Sequence, residues 1–116
     1  MRTKVNEYIT KGEKVIFSNG QVVSFDFPVC QAIGFEKCVV VRLNVTPGSN
    51  FNENVFGISY EGIILWQVPK RLHVHEDSPY TSISREGTNV LLSNWDGLEL
   101  VIDPHSGNIL KETYTK

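Results

Sequence analysis

The chain has 116 residues, enough for one domain of ordinary size and too few for two. It is 41% hydrophobic and 21% charged, usage that excludes wholesale disorder, collagen and coiled coil. Its 11 Lys and Arg against 13 Asp and Glu give a net charge of −2, which argues against a dedicated nucleic-acid binder, since such proteins carry a basic excess.

The chain opens Met1-Arg2-Thr3-Lys4 and continues into Val5-Asn6-Glu7-Tyr8, without the apolar run of a secretory signal. The longest apolar stretch, Cys38-Val39-Val40-Val41, is far short of a bilayer span. A cytoplasmic protein with no membrane partner is the expectation, with Cys30 and Cys38 as reduced thiols. A disulfide between them is the alternative for an oxidising compartment. Val5, Tyr8 and Ile9 have i, i+3, i+4 spacing, which allows one short N-terminal helix.

From there the pattern is β. Lys14 to Phe17 and Gln21 to Phe27 flank Asn19-Gly20, a cue for a hairpin with a type I′ turn. Val23, Phe25 and Phe27 share one face of the second strand. Pro28 ends that strand, and after a short loop a third runs from about Lys37 to Val45. Val39, Val41, Leu43 and Val45 are predicted to point inward, with Arg42 and Asn44 outward. Thr46-Pro47-Gly48-Ser49-Asn50 breaks it.

Val55 to Tyr60 then turns at Glu61-Gly62 into Ile63 to Val68, which is apolar on both faces and so predicted to be central. Further strands are expected over Tyr80 to Ser84, Thr88 to Trp95, Leu98 to Ile102 and Asn108 to Tyr114. Gly57, Gly62, Gly87, Gly97 and Gly107 fall at or beside strand ends, where turns use them. The prediction is one all-β domain over residues 1–116, an antiparallel meander of about eight or nine short strands. Sandwich, half-barrel and two-blade propeller-like arrangements all fit.

Two segments resemble quinoprotein-type propeller repeats. In Val55 to Val68 a strand meets an acidic-Gly turn and returns as a Leu-Trp strand. In Leu100 to Leu110 a strand ends in Asp103, the turn ends in Gly107, and an apolar strand follows. They lie about 45 residues apart, near one blade length. The resemblance implies blade-like hairpins. The quinone cofactor of the larger enzymes does not carry over, because a closed propeller takes about four to eight blades and this length supplies about two. Trp95-Asp96-Gly97 followed by Asp103-Pro104-His105-Ser106-Gly107 also resembles the texture of some small bacterial immunity proteins.

Catalytic patterns are sparse. No Gly-x-Ser-x-Gly elbow or Gly-rich phosphate loop occurs. Extended-strand alternation places His73 and His75 on one face, near Glu76 and Asp77, and with His105 they are the weak candidates for a metal or an acid–base centre. The alternative is a solvated polar loop between Pro69 and Pro79.

Charge is distributed unevenly. From Leu72 to Leu110 the one basic residue is Arg85, against Glu76, Asp77, Glu86, Asp96, Glu99 and Asp103. That stretch therefore carries −5 and leaves +3 for the remainder of a −2 chain. Many of these acids fall at turns, where Asp is favoured locally; gathered on one face they attract a cationic partner. Trp95, at a hairpin end, is either core or an interface anchor; Tyr80 and His75 are further anchor candidates. The first functional expectation is a non-catalytic, cofactor-free immunity-type protein covering the basic active site of a toxin. A small metal or acid–base enzyme at His73 and His75, and a structural subunit pairing through β edges, are the alternatives.

Overall fold

The computed structural model describes residues 7–71 and 76–114, which form eleven strands and no helix. The strands are β1 (Tyr8–Lys11), β2 (Lys14–Phe17), β3 (Val22–Ser24), β4 (Val29–Gly34), β5 (Cys38–Leu43) and β6 (Val55–Ser59). They continue with β7 (Ile64–Gln67), β8 (Tyr80–Glu86), β9 (Asn89–Asn94), β10 (Leu98–Ile102) and β11 (Ile109–Tyr114). All pairings are antiparallel between chain neighbours, giving three meanders: β1-β2-β3, β4-β5-β6-β7 and β8-β9-β10-β11. The expected all-β antiparallel domain is therefore what forms. Among the described residues, no helix is long and apolar enough to cross a membrane.

The strand count exceeds expectation at two places. Tyr8 and Ile9 belong to a strand, because pairing Tyr8 with Phe17 and Ile9 with Ile16 satisfies their backbone and overrides a three-residue helical spacing. Val29–Gly34, which lacks clean alternation, is an edge strand zipped onto β5 with a bulge between Val29 and Gln31. The Asn19-Gly20 hairpin forms, but only Gly20 has positive φ (91°), so its turn is not the type I′ that demands positive φ at both positions.

The meanders stack as three layers. Cys38, Val39, Val40 and Val41 are all fully buried, so β5 is buried on both faces, not on one. Val39, Val41 and Leu43 join Val15, Phe17 and Val23 of the first sheet in one core. Cys38 and Val40 join Ile83, Val90, Leu92, Leu98, Leu100 and Ile102 of the third sheet in the other. Arg42 is not a solvent-facing residue either: its Nε donates to Gln31 Oε1 at 2.6 Å. The middle sheet thus contributes to two hydrophobic cores, and burial of its Val and Leu side chains is worth about 1.5–3 kcal/mol each.

β7 is the reverse case. It was expected to be central and is an edge strand, with Ile63, Ile64 and Leu65 exposed and only Trp66 and Val68 turned into the core. Gly57, expected beside a strand end, lies inside β6 opposite Trp66. A Cβ there would lie 2.2 Å from Trp66 Nε1, so only glycine lets the indole lie flat on the strand.

Candidate interaction surface

One end of the molecule is built from the loop 44–54, the segment 76–79 and the β9–β10 turn. Loops carry backbone groups that no ladder satisfies, and here polar side chains satisfy them. Asn54, fully buried, donates from Nδ2 to Leu43 O (2.9 Å) and Tyr80 O (3.0 Å) and accepts from Tyr80 N (2.9 Å). Asn52 donates to Glu76 O (2.7 Å) and accepts from Ser78 N (2.8 Å). The Asp77 carboxylate accepts from Gly48 N (2.7 Å) and Asn50 N (3.2 Å), holding Asn50 in the left-handed region (φ 56°) that Asn tolerates well. Trp95 Nε1 donates to Asp77 O at 3.3 Å while half of the residue stays exposed.

The candidate residues divide accordingly. Glu76, Asp77 and Trp95 meet at this end, and Glu99 lies one pair inside it, opposite Ser93. Trp95 is the exposed alternative, not core, because it sits at the tip of the turn. Tyr80 and Asp96 correct the reading of them as surface residues. Tyr80 is 1% exposed, its side chain packed in the core between the middle and third sheets, and burial pushes its hydroxyl pKa up. Asp96 is 3% exposed and turned inward, where it accepts from Ser78 Oγ at 2.7 Å.

Glu86, the last residue of β8, and Asp103, in the β10–β11 turn, sit at the opposite end of the third sheet. The acidic stretch is therefore split between two ends by the antiparallel run of β9 and β10. At that far end the His105 N–H, donated to Asp103 Oδ1 at 3.0 Å, holds the Asp103 carboxyl below its usual range. His105 Nε2 accepts from Lys37 N (3.0 Å), a structural tie between the β4–β5 and β10–β11 turns. His73 and His75 lie outside the described residues. Among the described residues no group of three or more His, Cys, Asp or Glu is placed to hold a metal ion.

A feature that sequence reasoning missed lies between the loop after β3 and the loop after β5. Phe25, Phe27, Phe51 and Phe56, with Leu43, Ser24, Asp26 and Ser49, line a cavity of about 270 Å³. Phe25 packs tilted against Phe56 (4.8 Å between centroids) and Phe27 stacks on Phe51 (5.7 Å). Phe25 and Phe27 had the right alternation but lie beyond the end of β3. Nothing local links positions 25 and 51, which only the layering brings together.

Residues 6–114 match the pattern of a family described as a domain of unknown function, DUF7957. The chain belongs to that family. No curated protein and no solved structure matches it.

In this DUF7957 chain, the segments 55–68 and 100–110 meet. Trp66 lies between Gly57 of its own sheet and Gly107 of the third sheet, where a Cβ would come within 2.5 Å of the indole Cγ. Its Nε1 donates to Pro104 O at 2.7 Å. Cys38 Sγ donates to the same carbonyl at 3.1 Å, and both cysteines are free thiols.

Proposed function

We propose that this DUF7957 domain is a non-catalytic protein-binding module of the immunity type. It neutralises a nucleic-acid-cleaving toxin by seating its Trp95 end over the basic substrate channel. The observation that carries this reading is Trp95: a large aromatic side chain half exposed at a turn, yet held by a hydrogen bond to Asp77 O. A pre-fixed indole loses little conformational freedom on binding, and Trp is enriched among residues that dominate interface energy. Glu76, Asp77 and Glu99 supply negative charge beside it, which speeds capture of a cationic surface. Tyr80 and Asp96 support this platform from within.

The test is co-expression with each protein encoded by the neighbouring genes, starting from any that arrests growth when expressed alone. Growth restored by the wild-type protein, and lost on Trp95→Ala with Glu76→Lys, is the expected result. Toxicity unchanged by the wild-type protein sinks the reading.

A second reading, a subunit that pairs through β edges in a larger β-assembly, rests on β7. That edge strand carries exposed Ile64 and Leu65 without a charge or proline to protect it, whereas the β11 edge carries Lys111 and Glu112. Sedimentation as a strict monomer at high concentration removes self-assembly of this kind.

A further inference from the structure

The aromatic cavity supports an inference that does not depend on the toxin reading. Its walls are fixed by backbone hydrogen bonds. Phe25 N donates to Glu13 O and Val29 N to Gly12 O, both at 2.8 Å, tying one wall to the β1–β2 turn. The opposite wall carries Ser49 and Phe51, which flank the Asn50 amide that Asp77 holds. A site of about 270 Å³ falls just below the roughly 300–1,000 Å³ of pockets for drug-sized ligands, so it suits a small head group on a short stem.

The lining is of two kinds. Four phenylalanines and Leu43 offer apolar contact, and the phenyl rings carry a quadrupole that attracts a cation. Asp26 stands among them exposed, with no hydrogen-bond or ion-pair partner among the described residues. A neutral apolar occupant leaves that carboxylate without a counter-charge, and an anion would be repelled. A positive charge on an aliphatic stem satisfies both halves. We propose that this cavity binds an aliphatic ammonium group, with Asp26 pairing with the charge and Phe25, Phe27 and Phe51 enclosing the stem.

The experiment is a titration of the ¹⁵N-labelled full chain, followed by amide shifts, with n-butylammonium chloride and with its neutral counterpart n-butanol at equal ionic strength. The expected result is saturable shifts centred on residues 24–27 and 49–51. Affinity should fall at least fivefold for n-butanol and at least fivefold for n-butylammonium on Asp26→Asn. Asp26 is exposed, so the variant's spectrum should otherwise overlay the wild type. Absence of saturable shifts, equal binding of n-butanol, or unchanged affinity in Asp26→Asn overturns the proposal. A parallel titration with N-acetyl-lysine methylamide separates the sources. The same shifts assign the site to a lysine side chain, and their absence alongside n-butylammonium binding assigns it to a free amine.

Discussion

The two faces of the middle sheet are joined to their neighbours in different ways. Against the third sheet, apolar packing is locked by polar keys. Trp66 and Cys38 both reach Pro104 O, Gln31 exchanges two hydrogen bonds with the Ile83 backbone, and Asn54 grips Tyr80. Against the first sheet, Val15, Phe17 and Val23 meet Val39, Val41, Leu43, Phe56 and Ile58 with apolar contact alone. The polar ties there lie at the margins, such as Asn19 Nδ2 to Glu61 O at 3.3 Å. Apolar area supplies stability in both places, but buried directional bonds also fix one register. The keyed interface should therefore behave as one cooperative unit, and the first sheet should open at lower free energy.

The sharpest way to break that contrast is Trp66→Ala. It removes a buried indole wedged between two glycines and leaves Pro104 O with one donor fewer, for an expected loss of about 4 kcal/mol in urea unfolding. Hydrogen exchange should accelerate across β8 to β11. Phe17→Ala, also in a core, should cost about 3 kcal/mol. Its faster exchange should be confined to β1 to β3 and leave β9 and β10 protected. Acceleration of all three sheets by Phe17→Ala would refute the difference between the interfaces. Asn54→Ala tests the polar key without changing apolar area. Three hydrogen bonds vanish, and backbone groups at Leu43 and Tyr80 have one bond fewer, for about 2 kcal/mol.

The same contrast explains what was legible in the sequence. Strands with a solvent face, such as Leu98, Leu100 and Ile102 in β10, announce themselves by alternation, and the turns by Gly97 and Gly107. Layering does not. Val39 to Val41 reads as half-buried because a one-sequence pattern cannot show that a second sheet covers the other face. Ile63 to Leu65 reads as buried because hydrophobicity at an edge looks the same as hydrophobicity at a centre. The site divided along the same line. Glu76, Asp77 and Trp95 were locally conspicuous and do meet, whereas the Phe25–Phe51 cavity and the inward turn of Asp96 depend on contacts between distant segments.

Cys38 probes the keyed interface by pH. Burial, then the Asp103 charge, pushes its thiol from 9.0 up to about 11. The native state thus holds the proton more tightly than the unfolded chain. The contribution is complete below pH 9.0 and is lost as pH rises towards about 11. Unfolding at pH 10 should show a loss of about 1 kcal/mol relative to pH 8, absent in Cys38→Ala. In the native protein at pH 8, iodoacetamide should modify Cys30, which is exposed, and spare Cys38 until denaturant is added.

The two tryptophans give the smallest expected effect and the finest distinction. Trp66 is 9% exposed and Trp95 is 50% exposed. Acrylamide should therefore quench Trp95 selectively, and Trp95→Phe should leave a blue-shifted emission that resists quenching. Trp95→Ala removes a hydrogen bond of 3.3 Å at the surface, from a residue that belongs to neither core cluster, so stability should change by less than about 0.5 kcal/mol. Against about 4 kcal/mol for Trp66→Ala, that near-silence would make Trp95 available for a role other than folding. Loss of toxin neutralisation in Trp95→Ala, with an unchanged urea midpoint, would locate that role in partner contact. A midpoint that falls as far as that of Trp66→Ala would instead place Trp95 in the scaffold.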